Sequence, residues 1–559
     1  MALKGDKRPG HRAGGRQLST ITYPPFQVKV KGYQIIQPET TFTGARIEPL
    51  RRGLPKITQS LCPECVRVIE ARIFEERGKV MMEKTCPQHG YFKDVYYGDV
   101  RLYLKMEKWN FGDNRGLSNP QIPNATRCPD QCGLCSMHTS HTSLANIDLT
   151  NRCNLTCPIC FANANVTGYL YEPTLDQVRR MLQTLRNERP VAGRLIQFSG
   201  GEPTIYPHFF EVLEMARDMG FSHIQIATNG LAFTSFEFAQ RAKEAGLHTL
   251  YLQFDGVTDD IYLRTRGRPL LEAKLQAIEN VRKAGMKICL VPTIVRGLND
   301  HQIGDIVKLA LDNIDVVSAI AFQPVSFTGR ISRRELEAKR FTMADVALAI
   351  HEQTGICDAV EDWFPLSCVA PFSRLASAIR GELTTTLTSH PHCSMGTYLF
   401  VDSKKRGTPV TRFVDIGGML QEMDLLARKT TKQTVKLYTK IQAWNVLRKY
   451  FYEERAPEGL TFQKFLQTLQ GLMDKRYGRG EAEKKGFSYK TLMVAGMHFM
   501  DLYNYDIERV RRCIIHYAAP NGMLYPFCTY NSGPCFREKI ERKYSVPVSR
   551  PSGLIQIEA

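Results

Sequence analysis

No stretch of the 559-residue chain approaches the ~20 consecutive apolar residues that a membrane-spanning helix needs. The basic opening, MALKGDKRPGHRAGGR, is not followed by the apolar core of a signal peptide. An integral membrane protein and an exported one are therefore not expected, and the chain reads as cytoplasmic, soluble or peripheral at a membrane. Acidic residues are also in short supply, 56 against 74 Lys and Arg, for a formal charge of +18. That excess excludes no partner class but favours an anionic one: nucleic acid, phospholipid headgroups or a phosphorylated substrate. Without an export signal, the sixteen cysteines do not suit a disulfide framework. They point to metal ligation in a reducing compartment.

What the chain does contain is apolar content of 43%, enough for a sizeable core spread over two to four domains of roughly 100–200 residues each. Residues 1–52 mix Lys, Arg, Gly and Pro without period and read as a basic arm. Residues 53–142 are Cys-rich. Cys62-Pro-Glu-Cys65 and Cys86-Pro-Gln-His89, joined by a strand-turn-strand pattern, form two knuckles of a ribbon suited to one tetrahedral zinc or iron. Cys62, Cys65 and Cys86 are the expected ligands, with His89 in competition with a more distant cysteine. Cys128, Cys132 and Cys135 follow in C-x3-C-x2-C spacing, three thiolates for a cluster whose fourth ligand is not local. His138 and His141 are near in sequence.

The same spacing recurs in Cys153, Cys157 and Cys160, directly after the strand-like run Asn146–Thr150. Three thiolates on one loop can hold three corners of a four-iron cube and leave the fourth iron open to a ligand. A zinc knuckle would need a nearby fourth Cys or His, and a disulfide loop would need an oxidising compartment. Spacing alone does not choose between cluster and zinc.

From residue 143 to 340, short apolar runs alternate with helical periodicity. Expected strands are Asn146–Thr150, Leu195–Ser199, His223–Thr228, Thr249–Asp255, Lys287–Ile294 and Val316–Pro324, with helices between them. Six β/α units predict an α/β fold, a partial barrel with its site at the C-terminal strand ends. Gly200, Gly201, Glu202 and Pro203 follow the second strand, Asn229 the third, and Asp255 closes the fourth. Paired glycines permit close backbone approach to a ligand. Residues 341–559 read as mainly helical, with Cys368, Cys393, Cys513 and Cys528 as cysteines that could converge on one cluster. Cys289 and Cys357 read as inert core residues, and Cys535 stays open.

The cluster loop followed by Ser199-Gly-Gly-Glu-Pro-Thr204 resembles the radical S-adenosylmethionine (SAM) superfamily. One departure is Ile159, where that superfamily has an aromatic residue before the third cysteine. With CPEC…CPQHG, CPDQCGLC, FQPVSFTGR and HYAAPNGMLYPFCTYN, the chain from about Leu61 onward resembles archaeal tetraether lipid synthases. The resemblance implies a SAM-cleaving [4Fe-4S] cluster on Cys153, Cys157 and Cys160, SAM held by Gly200–Pro203, Asn229 and Asp255, two auxiliary [4Fe-4S] clusters and a mononuclear iron. It further implies an electron donor such as ferredoxin or flavodoxin, peripheral membrane contact, and carbon–carbon coupling of the isoprenoid chain ends of membrane diethers. The apolar channel such a substrate requires would be lined by Ala321–Phe327 and Thr491–Met500. A radical methylase acting on a pterin is the alternative, and would want a compact polar pocket instead. A metal-ribbon nucleic-acid binder suits the charge but leaves the β/α units and the Gly-Gly-Glu-Pro motif unexplained.

Overall fold

The computed structural model describes residues 49–112, 116–162, 164–165, 168–327, 339–430, 436–472 and 490–547. The expected basic arm lies almost wholly outside these residues, as does most of the charged stretch 471–490. The described residues form one compact unit.

The ribbon is a four-stranded antiparallel meander of Lys56–Leu61, Val68–Glu76, Lys79–Cys86 and Gly90–Tyr97. Its strands alternate as half-buried strands must, with Ile69, Ala71 and Ile73 inward and the charged residues between them outward.

Six parallel strands build the barrel: Leu144–Thr150, Leu195–Gly200, His223–Thr228, Thr249–Gln253, Lys287–Val291 and Val317–Pro324. Period-2 alternation assigns their two faces. Ala145, Ile147, Leu149, Ile196, Phe198, Ile224, Ile226, Leu250 and Leu252 join the main hydrophobic core with the outer helices. The Leu175–Asn187 helix shows why it forms: Thr174 and Gln177 close a capping box, and Val178, Met181, Leu182 and Leu185 make one buried stripe. The opposite strand face points into the barrel: on the first four strands it is mostly polar, carrying Asn146, Asp148, Gln197, Ser199, Gln225, Tyr251 and Gln253, and on the last two it is apolar, with Cys289, Val291, Ala319 and Ala321 in one cluster.

The partial barrel and ribbon are thus those expected, but the region after residue 341 is less helical than its composition suggests. Lys490–Met497 pairs parallel with the sixth barrel strand and antiparallel with Ser394–Val401. At the other edge Ile515–Ala518 pairs parallel with the first strand, so one thirteen-stranded sheet runs through the barrel and the C-terminal region. A separate helical core gathers Phe413, Phe451, Phe462 and Phe465 around Phe400.

One buried carboxyl sets a pH dependence. Glu188 is 5% exposed and accepts from the Thr142 N–H at 2.7 Å, and burial pushes it up to about 7 from 4.5. The folded state therefore holds a proton that the unfolded chain releases, so this group costs stability as pH rises from about 4.5 to 7. The total is about 3 kcal/mol at neutral pH and above. Glu188→Gln is expected to flatten that slope and to raise the melting temperature at pH 8 but not at pH 4. Thermal melts across this range check it.

Candidate active site

The first barrel strand delivers Cys153, Cys157 and Cys160 onto the loop at its C-terminal end. Leu155 N–H donates to the Cys153 sulfur at 3.4 Å. Burial, with Glu202 nearby, pushes that thiol up to about 12. A thiolate there needs a cation, which a metal centre supplies. Three neighbouring strand ends brace the loop. Arg266 pairs with Asp255 at 2.6 Å and donates to the Ile159 carbonyl at 3.1 Å. Although burial acts against its charge, Asp255 holds the guanidinium ionised. Asn229 donates to the Asn154 side chain at 2.7 Å. Lys274, buried and pulled down to about 7, donates to the Asn229 carbonyl and to Gln253.

Gly200 and Gly201 serve this same bracing. A Cβ on Gly200 would lie 2.2 Å from the Thr150 carbonyl oxygen, and one on Gly201 2.0 Å from that of Arg152. Gly200 also sits at φ +128°, so both positions demand glycine because the cluster loop occupies the space. Glu202, 1% exposed, turns inward to accept from Asn229 N–H and Thr228 Oγ1, each at 2.8 Å, and from Thr204 Oγ1 at 2.7 Å. Pro203 opens the short helical turn that follows. The motif's side chains thus fix the loop.

Cys62, Cys65, Cys86 and His89 bring four donor atoms within 4.8 Å of one another. His89 Nδ1 lies 3.6 Å from the Cys62 sulfur and 3.5 Å from that of Cys86. Among the described residues no other group of donors is so tight, so this set suits a single ion. The remaining cysteine groups are wider, as a cube requires.

Cys128, Cys132 and Cys135 stay together, each within electrostatic reach of the others. Cys393, Cys513 and Cys528 converge likewise. The Tyr505 phenol feels Cys528, Cys128, Cys132 and Cys513, which places it between the two groups. Cys368 does not join. It is buried in the turn Leu366–Val369, and no other cysteine acts on its thiol. His138 bonds the Cys513 carbonyl and His141 accepts from the Thr386 N–H, so both rings are engaged by backbone. Cys357 is buried, and Cys535 caps the Phe536–Lys543 helix.

A stack of rings connects the Cys153–Cys160 loop to the Cys393 group. Phe161, next to Cys160, stacks on Phe527 at 5.5 Å, and Phe527 stacks on Phe499 at 3.9 Å. Sequence reasoning missed this stack, as it missed Arg266, Lys274 and the amides of the barrel interior. A Gln or Asn on alternate strand positions was the available signal for the last of these.

Residues 147–310 match the model of the radical SAM superfamily, and residues 54–98 match that of the HMPTM N-terminal zinc ribbon domain. A 7,8-dihydro-6-hydroxymethylpterin dimethyltransferase of Methanocaldococcus jannaschii is 44% identical over 499 residues, covering 89% of this chain and 96% of the relative. The chain belongs to the radical SAM superfamily. Its family there is that of the M. jannaschii relative. Other relatives match a smaller part of the chain. A GTP 3′,8-cyclase of Nostoc is 26% identical over 38% of this chain and 65% of its own length. An AdoMet-dependent heme synthase of Nitratidesulfovibrio vulgaris is 30% identical over 29% and 43%.

Membership assigns this radical SAM protein [4Fe-4S] chemistry and SAM, and the Cys62–His89 ribbon holds a mononuclear metal. It also corrects the sequence reading. Coupling of membrane diethers, a lipid substrate and peripheral membrane contact are overturned by a near full-length relative named for a pterin. The motifs behind that reading are shared with a relative named for a pterin and so do not single out a lipid substrate. No helix among the described residues is long and apolar enough to cross a membrane.

Proposed function

We propose that this radical SAM protein methylates a reduced hydroxymethylpterin. The reading is carried by the 44% identity to the M. jannaschii dimethyltransferase over nearly the whole of both chains. The barrel interior supports it. Register sets Asn146 beside Gln197 and Gln197 beside Gln225, with Gln225 donating to Gln197 at 2.6 Å. The Asn146 carboxamide is 1% exposed and has neither its NH2 nor its oxygen bonded. Buried amides left open are costly unless a ligand completes them, and the amino-pyrimidinone edge of a pterin offers donors and acceptors in that alternation.

When bound, SAM and its cluster supply a 5′-deoxyadenosyl radical. Cys153, Cys157 and Cys160 would hold the cluster, the Asp255–Arg266 pair and Asn229 keep their loop in place, and Gly200 and Gly201 would contribute to binding SAM. The amides of the interior orient the pterin beneath. Cys128, Cys132 and Cys135, and separately Cys393, Cys513 and Cys528, hold the auxiliary clusters.

Anaerobic incubation with SAM, dithionite and 7,8-dihydro-6-hydroxymethylpterin is expected to yield 5′-deoxyadenosine and a pterin heavier by methyl groups. Asn146→Leu is expected to weaken pterin use about tenfold or more while SAM cleavage without substrate persists. Abundant 5′-deoxyadenosine with the pterin unchanged in mass would defeat the proposal.

A further inference from the structure

We propose that His498 is the fourth protein ligand of the iron–sulfur centre held by Cys393, Cys513 and Cys528. Cys368 lies elsewhere, and the leading cysteine neighbours of Cys513 and Cys528 are one another and Cys393, a centre of three thiols. The sheet supplies the missing residue. Ser394 pairs with Met497 across the antiparallel ladder, and one step beyond it the His498 N–H donates to the Cys393 carbonyl at 2.9 Å. Directly opposed residues of an antiparallel pair share a face, which sets the imidazole beside the Cys393 side chain.

Two residues further on, the Met500 N–H donates to the Cys528 sulfur at 3.5 Å. The segment 498–500 therefore touches two of the three ligand-bearing stretches. Arg509 closes the arrangement, donating to the Cys393 sulfur at 3.3 Å and to the His498 carbonyl.

The imidazole itself carries the argument. His498 is 1% exposed, and neither Nδ1 nor Nε2 has a hydrogen-bond partner. A buried imidazole with both nitrogens open is costly, and neutral imidazole is a good iron ligand. The nearest competitor is His390, also buried with Nε2 open. Its Nδ1 already accepts from the His392 N–H, at 3.3 Å, and it lies in the turn before Cys393, not across the ladder. The assignment concerns the chain's own ligands and is independent of the substrate.

The test uses full-length protein bearing Cys153→Ala, Cys157→Ala and Cys160→Ala, which removes the SAM-cleaving cluster, reconstituted anaerobically and reduced with dithionite. Pulsed EPR of the reduced clusters is expected to show the strong nitrogen coupling of a directly bound imidazole. The ribbon's ion, as zinc or ferrous iron, adds no such half-integer signal. His498→Ala is expected to lose the coupling together with iron and sulfide in equal amounts, whereas His390→Ala keeps both. His498→Cys is expected to lose the coupling while holding the parent's iron and sulfide, and it decides the matter should the alanine variant fail to fold. Absence of the coupling in the parent, or its persistence in His498→Cys, would overturn the proposal.

Discussion

With Cys153, Cys157 and Cys160 all replaced by alanine, formation of 5′-deoxyadenosine from SAM is expected to fall below detection, with the remaining iron centres retained. The three thiols sit on one loop, the loop that Gly200 and Gly201 pack against. Arg266→Gln separates holding the cluster from positioning it. The variant keeps all three thiols but loses the ionic bond to Asp255 and weakens the tie to the Ile159 carbonyl. Supporting residues of metal sites typically contribute about 10–100-fold in affinity or activity, so a loss of that order is expected, with iron content near that of the parent. Iron and sulfide analysis beside a single-turnover SAM-cleavage assay checks both. Retained cleavage in the triple variant would remove the loop from the chemistry.

Replacing Arg340 by methionine is expected to destabilise the protein by ~3–5 kcal/mol, the usual result of stripping a buried carboxylate of its cation. Arg340, 4% exposed, bonds Asp501 at 2.5 and 3.2 Å and also Asp94. It thereby joins the last ribbon strand to the segment that follows His498 and Phe499. Without it, two buried carboxylates face each other beside Lys84, itself pulled down to about 7 by burial. The deficit should shrink as pH falls. Carboxylates that lose their cation have folded-state values raised above the unfolded ones, so their cost is present at neutral pH and relieved on protonation. Adding Asp94→Asn and Asp501→Asn should recover part of the loss at pH 7. Denaturant unfolding of the three proteins at pH 7 and pH 5 decides, and an equal deficit at both would exclude the charge explanation.

Much of the architecture was legible because it is periodic. Alternating apolar positions and capping residues such as Thr174 announce strands and helices locally, and all six barrel strands appear within a few residues of their expected bounds. The C-terminal strands were not. Ser394–Val401 and Lys490–Met497 are flanked by helical and charged stretches and become strands only by long-range pairing, Lys490–Met497 with the sixth barrel strand and Ser394–Val401 with Lys490–Met497.

The substrate expectation failed for a related reason. Cysteine motifs are local in the chain, whereas the barrel interior is assembled from side chains on separate strands, such as Asn146 and Gln197, whose shared enclosure no motif records.

By itself the sequence determined the metal-binding loops, since ligands two or three residues apart are placed by local covalent geometry: Cys62 with Cys65, Cys86 with His89, and the two C-x3-C-x2-C loops. It also determined the β/α order. Tertiary structure alone decided that Cys393, Cys513 and Cys528 meet while Cys368 does not. It alone decided that Gly200 and Gly201 make room for the cluster loop, and that His498 stands opposite Cys393. Each of these depends on strand register across the sheet, where a shift of one residue turns a side chain to the other face.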